Sequence, residues 1–216
     1  MIIEQFSANR RRMLAALLLL LPLMLMSGLG FAKAGEPSEV VREATDAILE
    51  EIKARRSEFE SSNQALDAFV RSKLGEHIDQ EYSARLVLGL HGRSATKEQI
   101  KGFSQALSDN LMRRYGRALL EIDASTAIKV TGESPLRDGR IMRVNTQVMR
   151  SGGAPIPVDY MMRPDADGKW RAFDVIVEGV SYVQTYRSQF DQPIRQRGLD
   201  SVIEDLREDR IELDVE

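Results

Sequence analysis

Apolar residues change their spacing once along this chain, and that change decides the class of fold open to it. Up to Glu121 they recur every three or four positions; beyond it they alternate. A period near 3.6 collects side chains on one face of a helix and a period of 2 on one face of a strand, so helices precede a sheet. After Pro37-Ser38 the first helical stripe is Val41, Ala44, Ile48 and Ile52. Ser62 is placed to cap a second helix carrying Leu66, Phe69, Val70 and Leu74. A shorter helical stretch covers Asp79 to Leu88. Thr96-Lys97-Glu98-Gln99 then forms a capping box. It opens the longest helix, whose apolar face is Ile100, Phe103, Leu107, Leu111, Tyr115, Ala118 and Ile122. Gly116 within it weakens the helix by about 1 kcal/mol relative to alanine, or admits a close neighbour.

Alternation predicts four strands, at Ala127–Thr131, Ile141–Arg150, Ile156–Arg163 and Trp170–Val177. The links Arg137-Asp138-Gly139, Ser151-Gly152-Gly153 and Asp165-Ala166-Asp167-Gly168 are short and turn-rich, which implies an antiparallel meander. One face of the second strand is Met142, Val144, Thr146 and Val148; one face of the third is Ile156, Val158, Tyr160 and Met162. Helix returns near Val180 with Val183, Tyr186 and Phe190 in register. Gly198 is placed to end it, and Asp200 to cap a last helix with Val202, Ile203 and Leu206. The expected fold is a single α+β domain: N-terminal helices, a four-stranded antiparallel sheet, then C-terminal helices.

Composition removes several kinds of chemistry. The chain has no cysteine, which excludes disulfides, thiol catalysis and cysteine-held metal. Two histidines, His77 and His91, leave little for a histidine metal site, and both read as exposed or capping residues. A net charge of −3 argues against a nucleic-acid partner, whose binders concentrate lysine and arginine. There is no GxxxxGK[ST] phosphate loop and no GxSxG nucleophile elbow.

The first residues read as an address. Arg10-Arg11-Arg12 precedes an apolar run from Met13 to Met26, and Ala32-Lys33-Ala34 supplies the small-residue end. Basic, apolar and small regions in that order make a secretory signal peptide over residues 1–34, cleaved after Ala34. The apolar run falls short of the roughly 20 residues a spanning helix needs. Removing the leader, net +3, takes the charge from −3 to −6 for Gly35 to Glu216. An exported acidic domain without cysteine is expected in the periplasm, held by its core alone.

Asp174 and Glu178 bracket the apolar strand end Asp-Val-Ile-Val-Glu-Gly. A carboxylate with a raised pKa in a cone-like α+β pocket can serve as a general base; the favoured reading is that Asp174 orients a loop or pairs with an arginine and Glu178 helps a turn before Gly179. Arg187 can meet an anion or an acidic side chain of its own domain. Arg93, Lys97 and Lys101 can steer docking or simply solvate a helix face. Four of the five methionines after the leader, at 142, 149, 161 and 162, fall in the strand region. Methionine suits an adaptable apolar surface, although alternation alone does not distinguish a cavity from a packed core.

The segment Asp-Val-Ile-Val-Glu-Gly-Val-Ser-Tyr-Val-Gln-Thr-Tyr-Arg-Ser-Gln-Phe, Asp174 to Phe190, closely resembles the MlaC family of periplasmic phospholipid-binding proteins, also called toluene-tolerance auxiliary proteins. Arg85-Leu86-Val87-Leu88-Gly89, Ala95-Thr96-Lys97-Glu98-Gln99, Pro155-Ile156-Pro157-Val158-Asp159-Tyr160 and Ile194-Arg195-Gln196-Arg197-Gly198 match it in the same order. Gly92, Thr185, Pro193 and the acidic tail Glu208 to Glu216 depart from it. The resemblance implies a curved sheet and helices enclosing an apolar lipid cavity, no catalysis and no cofactor, with phospholipid as cargo. The implied partners are a diacyl phospholipid, an inner-membrane ABC transporter with a lipid-binding domain, and an outer-membrane lipoprotein complex; a shuttle is expected to be a monomer. The implied lining is Leu107, Leu111, Tyr115, Met142, Val144, Val148, Val158, Tyr160, Met162, Val175, Val177, Val180 and Val183. Choosing the strand face matters, because a one-residue slip inverts it.

N-terminal sequencing of the exported protein is expected to begin Gly-Glu-Pro-Ser, from Gly35. A start within the first thirty residues would show that the leader is retained.

Overall fold

Pro37 occupies the first helical position, where its missing N–H leaves no bond unmade and its fixed φ suits the turn. The structure, a computed structural model, describes residues 36–122 and 125–211, apart from the side chain of Tyr115. The predicted leader, residues 1–34, lies outside them. Helix α1 spans Pro37–Ala54, α2 Arg56–Ser61, α3 Asn63–His77, α4 Gln80–Leu88, α5 His91–Ser94 and α6 Lys97–Tyr115. The caps expected at Ser62 and Thr96 are made, and Asp79 supplies a further one. Ser62 accepts from the Ala65 N–H, Asp79 from the Tyr82 N–H, and Thr96 and Gln99 exchange both bonds of the capping box.

Helix α6 stops earlier than its stripe suggests. Beyond Tyr115 the chain tightens into a 3-10 turn, Gly116–Glu121. A 3-10 turn has 3.0 residues rather than 3.6, which rotates later side chains out of the stripe, and Ala118 is exposed. Gly116 is the point of close approach: a Cβ there would stand 1.7 Å from Met112 Cε.

The sheet is an antiparallel meander in the order β1-β2-β3-β4-β5. Its strands are β1 Ala127–Leu136, β2 Ile141–Met149, β3 Ile156–Pro164, β4 Trp170–Val177 and β5 Val180–Ser181. It thus has five strands where alternation predicts four. Glu178 and Gly179, at φ 51° and 88°, form a two-residue turn between paired Val177 and Val180, so the segment expected to start a helix first adds a short strand. Strand β1 also outruns its predicted end, because pairing resumes after a bulge between Val130 and Gly132.

The helix-facing side of the sheet follows the predicted alternation. Val144 and Thr146 are buried, and the Thr146 hydroxyl donates to the Val158 carbonyl at 2.6 Å. On the other side Arg143 and Asn145 both donate to Asp159. In β4 the register steps so that Met161 faces Asp174 and Met162 faces Ala172, leaving Phe173 as the extra residue of a bulge. Ala172 and Phe173 are consequently both buried. Ala172 packs with Val41, Val144 and Met162, while Phe173 meets the Tyr82 ring edge-on at 5.2 Å.

Helix α7, Tyr182–Arg197, carries Pro193 inside it and ends at Gly198, whose φ of 80° few other residues tolerate. Helix α8, Leu199–Arg207, has Gly198 rather than Asp200 at its N-cap; Asp200 instead accepts from Gln99 of α6 at 2.9 Å. The α8 end is tied to α6 by Asn110 and Arg113, which donate to the Leu206 carbonyl. Asp205, 4% exposed, accepts from Arg197 and Arg210.

Buried side chains form three clusters. One joins α4, α6, α7 and α8 around Phe103 and Phe190, whose rings meet edge-on at 5.1 Å. A second joins α1, α2 and α3 through Ile52, Phe59, Leu66 and Phe69. A third seats Val41 of α1 on the sheet.

Two outcomes follow from this packing. Phe103→Ala removes a fully buried ring and is expected to lower unfolding free energy by about 3–5 kcal/mol in a denaturant titration; a loss under 1 kcal/mol would contradict the packing. The Arg210 hydrogen bond and the two guanidinium charges hold the Asp205 carboxyl below its ordinary 3.8. A depressed folded value contributes stability that is present above the unfolded value and lost as pH falls through the folded one. Asp205→Asn should therefore melt below wild type at neutral pH, with the gap closing in strong acid. A gap independent of pH would remove charge as its cause.

Candidate functional site

All three clusters stop short of one another around a cavity of about 470 Å³, a size typical of ligand pockets. Helix α3 contributes Val70 and Leu74, the residue after it Ile78, α4 contributes Ala84 and Val87, and α6 contributes Leu107, Leu111 and Met112. The bulged strand β4 turns Phe173, Val175 and Val177 toward it, and α7 closes it with Tyr182, Val183 and Tyr186. A second hollow of about 220 Å³ lies between α1 and the sheet, lined by Val41, Ile48, Tyr160, Met162 and Ala172 among others. Val70, Leu74, Ile78 and Leu119 stand in the walls of both. The partition between them is thus built of side chains from α3, the residue after it and the 3-10 turn.

Several polar groups at the larger cavity are tied to the protein. The Ser83 hydroxyl donates to the Asp79 and Phe173 carbonyls, and that of Ser104 to the Gln80 carbonyl. Asp174 accepts from the Ser181 hydroxyl at 2.6 Å and from the Val183 N–H at 3.0 Å. Its two oxygens therefore fasten the start of α7 to the sheet, the arrangement of a helix cap. Glu178 forms the β4–β5 turn. With hydroxyls and carboxylate so engaged, the cavity offers its contents mainly hydrocarbon and aromatic surface. In the smaller hollow, burial raises the Tyr160 hydroxyl pKa, and at the rim burial lowers that of His77.

The thirteen residues named from sequence separate by position. Leu107, Leu111, Val175, Val177 and Val183 line the larger cavity; Tyr160 and Met162 line the smaller. Tyr115 ends α6, and its side chain lies outside the described residues. Met142, Val144, Val148, Val158 and Val180 stand in neither wall. Val144 is fully buried against Val41, Met162 and Ala172, because α1 covers that part of the strand face. Val158 is buried between its register partners Thr146 and Val177, Val148 pairs with Ile128 and Ile156, and Met142 pairs with Pro135 and Met162. Val180 is 44% exposed at the short turn. The sequence reading does not name Val70 and Leu74 of α3, or Ile78 just beyond it, as walls; the helical spacing of the first two is that of any core helix, and only the neighbouring gap distinguishes them.

Among the described residues Arg187 pairs with no acidic side chain. Its Nε donates to the Leu86 carbonyl at 2.8 Å, and its side chain passes so close to Gly89 that a Cβ there would lie 3.3 Å from Nε. Two of the segments singled out in the sequence, around Leu86 and around Arg187, therefore lock together at the end of α4. His91 Nε2 lies 3.0 Å from Asp191 Oδ1, and this hydrogen bond, assisted by Arg195, holds the Asp191 carboxyl below the ordinary carboxylate range. Arg93, Lys97 and Lys101 are exposed.

Comparison with known proteins gives this geometry its relatives. The chain is 29% identical over 191 residues to toluene tolerance protein ttg2D of Pseudomonas putida, covering 88% of this chain and 85% of that protein. It is 23% identical over 174 residues to the intermembrane phospholipid transport system binding protein MlaC of Haemophilus influenzae, covering 80% and 81%. The fold matches a solved phospholipid-binding protein of Ralstonia solanacearum, in complex with a phospholipid, with a TM-score of 0.72 at 23% identity, covering 81% of this chain and 96% of that one. The MlaC protein family matches residues 42–208, well over half of the chain, and the protein therefore belongs to the MlaC family.

Proposed function

We propose that this protein is a periplasmic carrier of diacyl phospholipid, exported by a signal peptide cleaved after Ala34. The observation that carries the reading is the cavity of about 470 Å³, walled mainly by hydrocarbon and aromatic side chains, with a second apolar hollow behind a thin partition. The names of the relatives support it: one belongs to an intermembrane phospholipid transport system, and another holds a phospholipid. On this reading the carrier exchanges lipid between an inner-membrane ABC transporter and an outer-membrane lipoprotein complex, and so helps maintain outer-membrane lipid asymmetry.

The energetics fit a carrier without a catalytic step. Each methylene brought out of water is worth roughly 0.8 kcal/mol. Two acyl chains hold on the order of 30 methylenes, so carrying a bare lipid through water would cost about 20 kcal/mol or more. A dry cavity removes most of that barrier. It must not bind much better than a bilayer, or unloading would stall. The energy source belongs to the partner, and the carrier acts as a monomer that performs no reaction. The use of both Asp174 oxygens in fastening α7 supports a non-enzymatic role.

The test is mass spectrometry of lipid extracted from natively purified protein. About one equivalent of diacyl phospholipid is expected from wild type. Val175→Arg, which drives a guanidinium into the cavity wall, is expected to cut bound lipid at least about tenfold because burying an unpaired charge costs several kcal/mol. A folded wild-type protein free of lipid would overturn the carrier reading, and undiminished lipid in folded Val175→Arg would move the site elsewhere.

A further inference from the structure

A third hollow, of about 420 Å³, lies against the start of α4, the end of α3 and the β3–β4 turn. Three ion pairs line it: Arg85 with Glu81 at 2.8 Å, Arg163 with Asp79 at 2.8 Å, and Arg171 with Asp165 at 2.6 Å. Their acceptors and donors are not equally engaged. Asp79 takes the Tyr82 N–H on Oδ1 and Arg163 on Oδ2. Asp165 takes the N–H groups of Asp167 and Lys169 on Oδ1 and Arg171 on Oδ2. Glu81 uses one oxygen and points into solvent.

A guanidinium has five N–H groups. Among the described residues Arg85 directs one hydrogen bond, to Glu81, and Arg163 one, to Asp79. The Arg163 guanidinium lies over the Tyr82 ring at 4.2 Å, which holds its plane in place. Arg171 is more committed: it also donates to the Gly75 and Glu76 carbonyls and so fixes the β3–β4 turn to α3. The hollow thus has donors in excess of acceptors, carried on two different elements, with Arg163 held by the Tyr82 ring and Arg85 by its bond to Glu81. An ammonium group would find few open acceptors there, whereas an anion with several oxygens would meet the unused N–H groups of Arg85 and Arg163.

The hollow also touches the apolar cavity. Ile78 and Gln80 stand in the walls of both, so a phosphate seated on the arginines would have its apolar chains one residue's width from the hydrocarbon site. We propose that this hollow seats the phosphate of the lipid head group, with Arg85 and Arg163 as its donors. The assignment rests on the carrier reading above. It makes the protein selective for a phosphate-bearing lipid over a neutral diacylglycerol with the same chains. Free inorganic phosphate presents the same oxygens, and the shared wall is what favours the lipid.

Lipid-free protein is incubated with vesicles containing phosphatidylglycerol and diacylglycerol of identical chains in equal amounts, re-isolated, and its lipid measured by mass spectrometry. Wild type is expected to retain phosphatidylglycerol at least about tenfold over diacylglycerol, the scale of a lost charge-assisted hydrogen bond. Arg85→Gln/Arg163→Gln should bring that ratio close to one. A ratio unchanged in the double variant overturns the proposal. Should the double variant not fold, Arg85→Gln, whose ion pair is exposed, is read by the same ratio, and no fall overturns it. Wild type that retains neither lipid points instead to failure of the carrier reading. Inorganic phosphate that raises the melting temperature of wild type but not of the variant, with equal lipid ratios in both, overturns the head-group assignment in favour of a free-anion site.

Discussion

An apolar cavity is expensive to keep. Protein interiors pack at crystal density, and each wall of a gap lacks the dispersion contacts a neighbour would supply. A cavity of about 470 Å³ therefore persists only if its walls are held by contacts made elsewhere. Here the buried side chains are divided into three clusters, and each braces a different part of the enclosure. The helical cluster around Phe103 and Phe190 holds α4, α6 and α7; the cluster around Phe59 and Phe69 holds α3; and α1 is seated on the sheet through Val41. Collapse of the cavity would require these packed units to move into it and lose their own contacts.

Where packing cannot brace a wall, polar clamps do. Asp174 reaches from β4 to Ser181 and the Val183 N–H, fixing where α7 leaves the sheet. Arg187 reaches from α7 to the Leu86 carbonyl, fixing where α4 ends. Ser83 joins α4 to β4 through the Phe173 carbonyl. Sheet, α4 and α7 are thus linked in a closed ring of side-chain bonds around the larger cavity. The same bonds engage the Ser83 hydroxyl and the Asp174 carboxylate at its wall, so rigidity and a mainly apolar lining have a common origin. Arg56 of α2 performs a related task on the far side by donating to the Leu120 and Ile122 carbonyls beside the partition residue Leu119.

The sequence made legible what depends on local pattern. The caps at Ser62 and Thr96, the meander, and the inward faces of β2 and β3 all follow from spacing and capping chemistry. It was less informative where the backbone departs from regularity. The Glu178-Gly179 turn requires a positive φ at a glutamate, which residue preferences do not favour, and so the spacing near Val180 predicts helix where β5 forms. The bulge at Phe173 shows no sequence mark, yet it lets adjacent Ala172 and Phe173 both face inward. For the same reason the strand face alone could not separate wall from core. Val144 and Tyr160 share that face, but α1 covers the first, while the second borders a hollow. That difference is set by the position of another element, which periodicity within a strand does not encode.

The partition between the two apolar hollows follows from the same division of labour. Val70 and Leu74 belong to α3, which is anchored through Leu66 and Phe69, Ile78 follows its last turn, and Leu119 belongs to a 3-10 turn rather than a regular helix. The backbone behind the partition is thus fixed while the partition itself consists of half-buried aliphatic side chains. Aliphatic rotamers exchange without breaking a hydrogen bond, and the energy at stake is a few dispersion contacts. Such a wall can yield to an entering chain and close after it leaves, at little change in the stability of the braced shell. This reconciles two needs that conflict in a uniform core: an enclosure stiff enough to stay open, and a lining soft enough to take apolar chains of different lengths.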